Sequence, residues 1–302
     1  MYKYIVPETK KIRLIIDSDA KCEADDQFAI VHALLTPKFD IRGLIGAQFG
    51  DLHFADSMER SVAECKKIVG LMQLQDKVPV VHGAKTAVKS ETEYEYSEGA
   101  RLIVEEAMRD DPRPLYITFQ GPLTDVACAY LQEPAIADRI TVVWIGGGKY
   151  PEGGGEFNLS NDILAANIVM QSPIKLWQVP INVYAKMIVS FAELDEKVRP
   201  YGEIGGYLFE QLMEFSLNAA NHGAEWTQGE SWGLGDSPTV GLLLNPQLFN
   251  FHEGEAPVIN EDMSYHFTGK GRQIRIYDEI NARFILEDMF SKLRLTYGDQ
   301  RS

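Results

Sequence analysis

The chain predicts an α/β fold: a mostly parallel central sheet, open and Rossmann-like, flanked by helices. Three features predict it. Strand-like and helix-like segments alternate from Arg13 to about Val183, which calls for parallel strands joined by crossover helices. Several strand segments are short continuous apolar runs, the pattern of strands buried on both faces. Acidic and glycine-rich residues gather where these strands end, which is where open α/β sheets place their ligands.

Taken in order, Leu14, Ile15 and Ile16 form the first strand, and Phe28, Ala29, Val31, Leu34 and Leu35 recur at helical spacing behind it. Phe39 to Ala47 reads as a second strand and Ala55 to Met72 as an amphipathic helix with alternating charges. Val78 to Val81 is a short strand. The polar, acidic Lys89 to Glu98 is a surface loop. A helix at Gly99 to Arg109, a strand at Leu115 to Phe119 and a helix at Val126 to Leu131 follow. The strand Ile140 to Ile145 runs into glycine-rich turns at Gly146-Gly147-Gly148 and Gly153-Gly154-Gly155. These are no phosphate-binding P-loop, because the Gly-Lys-Ser/Thr is missing. Asp162 to Gln171 is a helix and Lys175 to Val179 a strand. Ser190 to Asn221 reads as continuous helix, His222 to Leu234 as a loop carrying Trp226 and Trp232, and Asp236 to Leu244 as a helix. Two short strands, Ala256 to Ile259 and Arg272 to Ile276, are expected to extend the sheet before a last helix at Glu279 to Leu293.

No repeat, low-complexity tract or Pro/Ser-rich linker divides the 302 residues, so one domain over 1–302 is the simplest reading. Apolar content of 45% and charged content of 24% are those of a soluble globular protein. No run of about eighteen apolar residues exists, so no membrane partner is expected. The N-terminal MYKYIVPETKK lacks an apolar signal core, and a cytoplasmic location is expected. The net charge of −15 argues against nucleic acid, whose phosphates require a basic surface. Cys22, Cys65 and Cys128 are scattered and odd in number, as expected of free thiols in a reducing compartment. Cys22 has no evident base beside it, and the surrounding negative charge disfavours a thiolate.

The chemistry concentrates in Arg13 to Ile30. Asp17, Asp19, Glu23, Asp25 and Asp26 place five carboxylates in ten residues at the end of the first strand. Like charges this close raise one another's pKa unless a cation sits among them. Capping of the following helix accounts for one or two of them. A hard divalent ion such as Ca²⁺ or Mg²⁺, which prefers oxygen ligands, accounts for the rest.

Four segments, in order, resemble the inosine–uridine-preferring nucleoside hydrolases. Asp17-Ser18-Asp19 with Asp25-Asp26 resembles the family's Asp-x-Asp and Asp-Asp signature. Here, however, five residues separate Asp19 from Asp25 where the common pattern has three, and the loop lacks the family's Pro-Gly. Gly121-Pro122-Leu123-Thr124 resembles Gly-Pro-Leu-Thr-Asn, with Asp125 replacing the Asn. Glu156-Phe157-Asn158 matches Glu-Phe-Asn. Gly235-Asp236-Ser237-Pro238 resembles the His-Asp-Pro that opens a late helix. The resemblance implies the nucleoside hydrolase fold and a Ca²⁺-dependent hydrolase that splits a ribonucleoside or related riboside into ribose and base.

Residue by residue, the resemblance implies that Asp19, Asp26 and Asp236 bind Ca²⁺ together with the Thr124 main-chain carbonyl. Asp19 would serve as the base that activates a water, Asp17 would support this shell, and Asp25 would accept from a ribose hydroxyl. Glu156 and Asn158 would hold the 5′-hydroxyl side, and Asp236 would also face the substrate. The departures fall where the base should bind. Gly235 takes the place of a His that helps the base depart, Gly50 and Tyr150 stand where sugar-contacting Asn residues are expected, and Gln48 or Asp51 could stand in for Gly50. Glu23 is a candidate extra ligand, and Trp226 and Trp232 offer aromatic faces on which a base could stack. Family members are commonly dimers or tetramers, so a homodimer or homotetramer is expected.

Overall fold

The computed structural model describes residues 2–50 and 54–300. Its centre is an eight-stranded sheet in the order β3-β2-β1-β4-β5-β6-β12-β9. The strands are β1 (Ile12–Ser18), β2 (Phe39–Gly46), β3 (Val80–His82), β4 (Leu115–Gln120), β5 (Ile140–Ile145), β6 (Lys175–Val179), β9 (Phe251–Glu255) and β12 (Gln273–Tyr277). All run parallel except β9, which pairs antiparallel with β12 at one edge.

The continuous apolar runs explain the parallel order. Every residue of β1 and of β5 is buried, so each strand needs a helical layer on both faces. Helices α1 (Asp26–Leu34), α2 (Ser57–Leu71), α3 (Glu98–Met108), α4 (Thr124–Gln132), α5 (Phe157–Ser160) and α6 (Ile163–Gln171) supply those layers, interleaved with the strands. Two apolar cores result. One joins Phe28, Leu44, Val143 and Leu242; the other joins Ile15, Phe119, Trp144 and Val169.

After β6 the pattern changes. A single turn, α7 (Ile181–Tyr184), leads to β7 (Ile188–Ser190), α8 (Phe191–Lys197) and α9 (Gly202–Asn221). The expectation of continuous helix from Ser190 to Asn221 is therefore corrected. Pro200 cannot donate to a helical ladder, and Gly202 takes a φ of +68°, so the chain breaks and restarts there. The tryptophan segment is not wholly a loop either. β8 (Ser231–Gly233) pairs antiparallel with β7 in a small separate sheet.

α10 (Pro238–Leu244) and α11 (Ala282–Tyr297) pack beside α1. β12 extends the sheet as expected. The strand expected at Ala256 to Ile259 shortens to β10 (Val258–Ile259), which pairs outside the main sheet with β11 (Tyr265–His266). The sheet's edge is instead β9, whose Phe-His-Glu-Gly-Glu sequence carries no apolar run because most of it is exposed. The 89–98 segment folds back through a Ser90–Glu93 bridge and is mostly exposed.

The strand order reverses between β1 and β4, with β2 and β3 on one side and β5 and β6 on the other. The crevice at such a switch point, outside the carboxyl ends of the strands, is where ligands enter doubly wound sheets. The acidic residues that follow β1 open onto it.

Candidate active site

β1 ends at Ser18, and the backbone is held across the switch point by the Asp19 amide, which donates to the Gln120 carbonyl at 3.2 Å. Asp19 is 1% exposed. Its Oδ1 accepts from the Cys22 thiol at 3.1 Å, while its Oδ2 is buried with no hydrogen-bond partner. α1 begins at Asp26, whose Oδ1 accepts from the Ser18 hydroxyl at 2.5 Å. Asp25, immediately before the helix, accepts from the Asp236 amide at 3.2 Å. That bond ties the first acidic loop to the entry of α10, 211 residues later in the chain.

Carboxylate oxygens of Asp25, Asp26 and Asp236 lie within 4.8 Å of one another, as do ligand atoms of Asp19, Cys22 and Asp26. The cluster lines a cavity of about 70 Å³ together with Glu23, Glu156, Asn158, Tyr184 and Gly235. Among the described residues, no Lys or Arg lines it. Lys21, the nearest cation in sequence, turns outward to Glu64 at 3.7 Å. The charges therefore meet one another in a desolvated space. Burial, and then the neighbouring Asp26, hold the Asp19 carboxyl well above the usual carboxylate range. Burial followed by Asp25 does the same to Asp26 and Asp236. Burial lifts Asp25 to about 6, and burial with the Asp25 charge lifts Glu23 to about 8. Asp17, behind the cluster, is fully buried against Asp125, and burial followed by the Asp125 charge pushes it up as well.

The opposite wall comes from the glycine-rich turn after β5. Glu156 caps α5 and accepts from the amides of Gly147 at 2.8 Å, Asn158 at 3.2 Å and Leu159 at 2.8 Å. It also accepts from the Tyr184 hydroxyl at 2.8 Å. Asn158 donates its amide to the Ile145 carbonyl at 2.9 Å. These bonds fix both side chains against the end of β5.

Thr124 is the first residue of α4, and its hydroxyl donates to Asp162 at 2.8 Å. The part of this segment that reaches the acids is Gln120–Gly121. A side chain built on Gly121 would meet the Asp19 carboxyl carbon at 3.1 Å.

A model of the inosine–uridine preferring nucleoside hydrolase family matches residues 14–287, which spans every element of this site. The chain belongs to that family. It is thus an N-ribosyl hydrolase, an enzyme of the class that acts on glycosyl bonds. A pyrimidine-specific ribonucleoside hydrolase, RihA of Citrobacter koseri, is 26% identical over 255 residues, covering 74% of this chain and 77% of its own. RihA of Salmonella typhimurium is 24% identical over 266 residues, covering 78% and 80%. Among solved structures, the plant nucleoside hydrolase PpNRh1 superposes with a TM-score of 0.76 at 16% identity, covering 93% of this chain and 98% of its own. A purine-preferring ribonucleoside hydrolase from Gardnerella vaginalis gives 0.73 at 17% identity, covering 93% and 98%. At these identities the structural likeness speaks for the fold.

Within this nucleoside hydrolase, the departures noted in sequence have structural reasons. Gly235 sits against Tyr184: a Cβ there would lie 2.9 Å from the tyrosine ring. Tyr184 therefore fills the space in which a side chain at 235 would stand. No sequence pattern announced it beyond its place a few residues past the end of β6. Gly50 has a φ of +80°, and a Cβ there would meet the Asn161 side chain at 2.8 Å. Gln48 is buried and already bonded to Thr124, to the Asn161 carbonyl and to the Gly50 amide; Asp51 lies outside the described residues. Tyr150 packs on His252 and Phe267 and is not among the cavity-lining residues. His82 and His222 bond Glu98 and the Asn218 carbonyl, away from the cavity.

The two tryptophans do not enter the acidic cavity. Their rings meet edge to face at 5.3 Å, and with Ile188, Gln228 and Glu23 they wall a groove of about 460 Å³. Trp232 is buried and donates its indole N–H to Glu23 at 3.0 Å, whereas Trp226 is 56% exposed. Glu23 lines both spaces, so the groove borders the acidic cavity.

Proposed function

We propose that this enzyme cleaves the N-glycosidic bond of a ribonucleoside to ribose and free base, with Asp19 as general base and Ca²⁺ as cofactor. The observation that carries the reading is convergence. Asp19 and Asp26 from the first tenth of the chain and Asp236 from its last quarter line one cavity, and among the described residues no Lys or Arg lines it with them. An all-carboxylate donor set suits a hard divalent ion, and the buried, unpartnered Asp19 Oδ2 is the kind of atom such an ion satisfies. Asp19, Asp26 and Asp236 would hold it, together with the Thr124 main-chain carbonyl. When bound, the ion supplies positive charge for the ribose hydroxyls and makes a nearby water more acidic.

The side chains supply the rest. Asp19 takes the proton from the attacking water, a contribution of roughly 10²–10⁴-fold. As the bond from C1′ to nitrogen breaks, its electron pair leaves with the base, and the sugar becomes oxocarbenium-like. The buried carboxylates of Glu156 and Asp25 favour that developing positive charge. Asp25 and Asp236 accept from ribose hydroxyls, and Glu156 and Asn158 hold the 5′ side. The base projects toward the Trp226–Trp232 groove and takes its proton from solvent. The assembly in solution is a homodimer or homotetramer, which light scattering tests directly.

A panel of purine and pyrimidine nucleosides with Ca²⁺ tests the activity. Ribose release from at least one is expected. A folded, Ca²⁺-loaded protein that releases none would refute the hydrolase reading and leave a non-catalytic ribose or nucleoside binder, which calorimetry with ribose would show. The Gly235–Tyr184 packing favours a second reading of the substrate, a riboside with an already good leaving group, because no histidine stands at 235. Strong turnover of nitrophenyl riboside with none of inosine or uridine would select it.

A further inference from the structure

We propose that Gln178 and Tyr265 are positioning residues for the 5′ end of the substrate, because they hold Gly147 in a left-handed conformation that aims its amide at Glu156. Neither residue lines the acidic cavity. The inference rests on the proposed function, in which Glu156 holds the 5′ side of the ribose.

Glu156 is buried, and its donors set its place. The Asn158 and Leu159 amides belong to the short helix that Glu156 itself caps. The Gly147 amide comes from the other end of the glycine-rich turn and ties the carboxylate to the residues that follow β5. Gly147 is in turn held from several sides. Its φ is +83°, which a residue with a Cβ rarely adopts. Its carbonyl accepts from the Ile181 amide at 3.0 Å. Gln178, fully buried near the end of β6, donates its Nε2 to the Gly146 carbonyl at 3.0 Å and to the Tyr265 hydroxyl at 3.0 Å. The Tyr265 hydroxyl donates to the Gly148 carbonyl at 3.4 Å. The two side chains thus bond the residues before and after Gly147. Their polar ends also lie over Gly147 itself, where an added Cβ would collide with both.

Tyr265 reaches this turn from β11, outside the main sheet. The Gly154 amide donates to the Met263 carbonyl at 2.8 Å, the Tyr265 amide donates to the Glu152 carbonyl at 3.3 Å, and Gly153 bridges Ser264. These bonds seat the β10–β11 hairpin on the glycine-rich turn. No residue of the hairpin lines the cavity, yet its tyrosine acts on Glu156 through Gly147. A hydrogen bond to a 5′-hydroxyl depends steeply on distance and angle. Loss of the Gln178–Tyr265 brace therefore spoils the aim of Glu156 while leaving the carboxylate buried and chemically intact.

The test measures kcat/KM of the full-length enzyme on an accepted nucleoside and on its 5′-deoxy analogue. The wild type is expected to favour the 5′-hydroxyl roughly 10–100-fold, the size of a hydrogen bond to a charged group. Tyr265→Phe and Gln178→Met are each expected to narrow that preference roughly three- to tenfold, by losing more on the parent nucleoside than on the analogue. Glu156→Gln is expected to abolish it. A purely structural role would lower both substrates alike, so unchanged preference in Tyr265→Phe and Gln178→Met, with the preference gone in Glu156→Gln, overturns the positioning assignment alone. If Gln178→Met fails to fold, Tyr265→Phe decides by itself. No preference in the wild type, or one that survives in Glu156→Gln, removes the 5′ role of Glu156 from the proposed function and this inference with it.

Discussion

Tyr184 and Gly235 solve one packing problem together. With only 2.9 Å between a Cβ at 235 and the Tyr184 ring, Gly235→His must push the tyrosine off Glu156 or distort the start of α10. The expected loss is about 1–3 kcal/mol, read from the urea midpoint. Pairing the change with Tyr184→Ala should recover most of it, and equal midpoints for Gly235→His and wild type would show that the two do not compete for space. Asp19→Asn tests the base at the same scale. Turnover of whichever nucleoside the enzyme accepts should fall roughly 10²–10⁴-fold with the far-UV spectrum unchanged. Several residues of the cluster were legible in sequence because β1, β5 and the entry of α10 each deliver acids at an element boundary, where backbone position follows from the pattern. Tyr184 was silent because what defines it is a contact with a glycine in a different element.

Elements were legible in proportion to how fully they are buried. β1 and β5 announced themselves as unbroken apolar runs, but the edge strand β9 and the three-residue β7 and β8 carry no such signal, being exposed or too short for periodicity. Pro200 was present to be read, yet the apolar spacing on both sides masked the break. The contact between α1 and α11 carries a prediction of its own. His32, fully buried on α1, bonds Asp288 at 2.6 Å, and Lys292 also pairs with Asp288. Burial, only partly offset by Asp288, lowers the His32 pKa from 6.5 to about 4. Between those values the unfolded chain takes up a proton that the folded chain refuses, so stability falls as pH drops from about 6.5 to 4. The upper bound is about 3 kcal/mol. Asp288, held below its ordinary value by His32 and Lys292 against the effect of burial, adds a loss of the same sign at still lower pH. His32→Gln should therefore lose less stability than wild type between pH 7 and pH 4.5 in urea titrations. Parallel slopes would show that His32 titrates alike in the folded and unfolded chains.

At the scale of the whole molecule, the acids at the switch point set how the protein responds to cations and to pH. A chain of net charge −15 gathers buried carboxyls from its first tenth and its last quarter and, among the described residues, offers them no basic side chain in the cavity. Their raised pKa values have the opposite sign to His32. Asp25 at about 6 and Glu23 at about 8 keep protons in the folded state that the unfolded chain has already released. Without a cation, this site therefore destabilises the fold progressively as pH rises from the ordinary carboxylate range toward 8. A divalent ion that binds only the folded chain reverses the penalty, contributing about 2.7 kcal/mol at a hundredfold excess over its Kd. For a protein of 302 residues that corresponds to a rise in Tm of roughly 4 °C. The rise should be larger at pH 8 than at pH 5.5, because protons compete for the same oxygens, and it should largely disappear in Asp236→Asn. Scanning calorimetry with Ca²⁺ and with a chelator, at both pH values, separates the outcomes. If Tm does not move with Ca²⁺ at either pH, the three distant carboxylates have been brought together for something other than a metal.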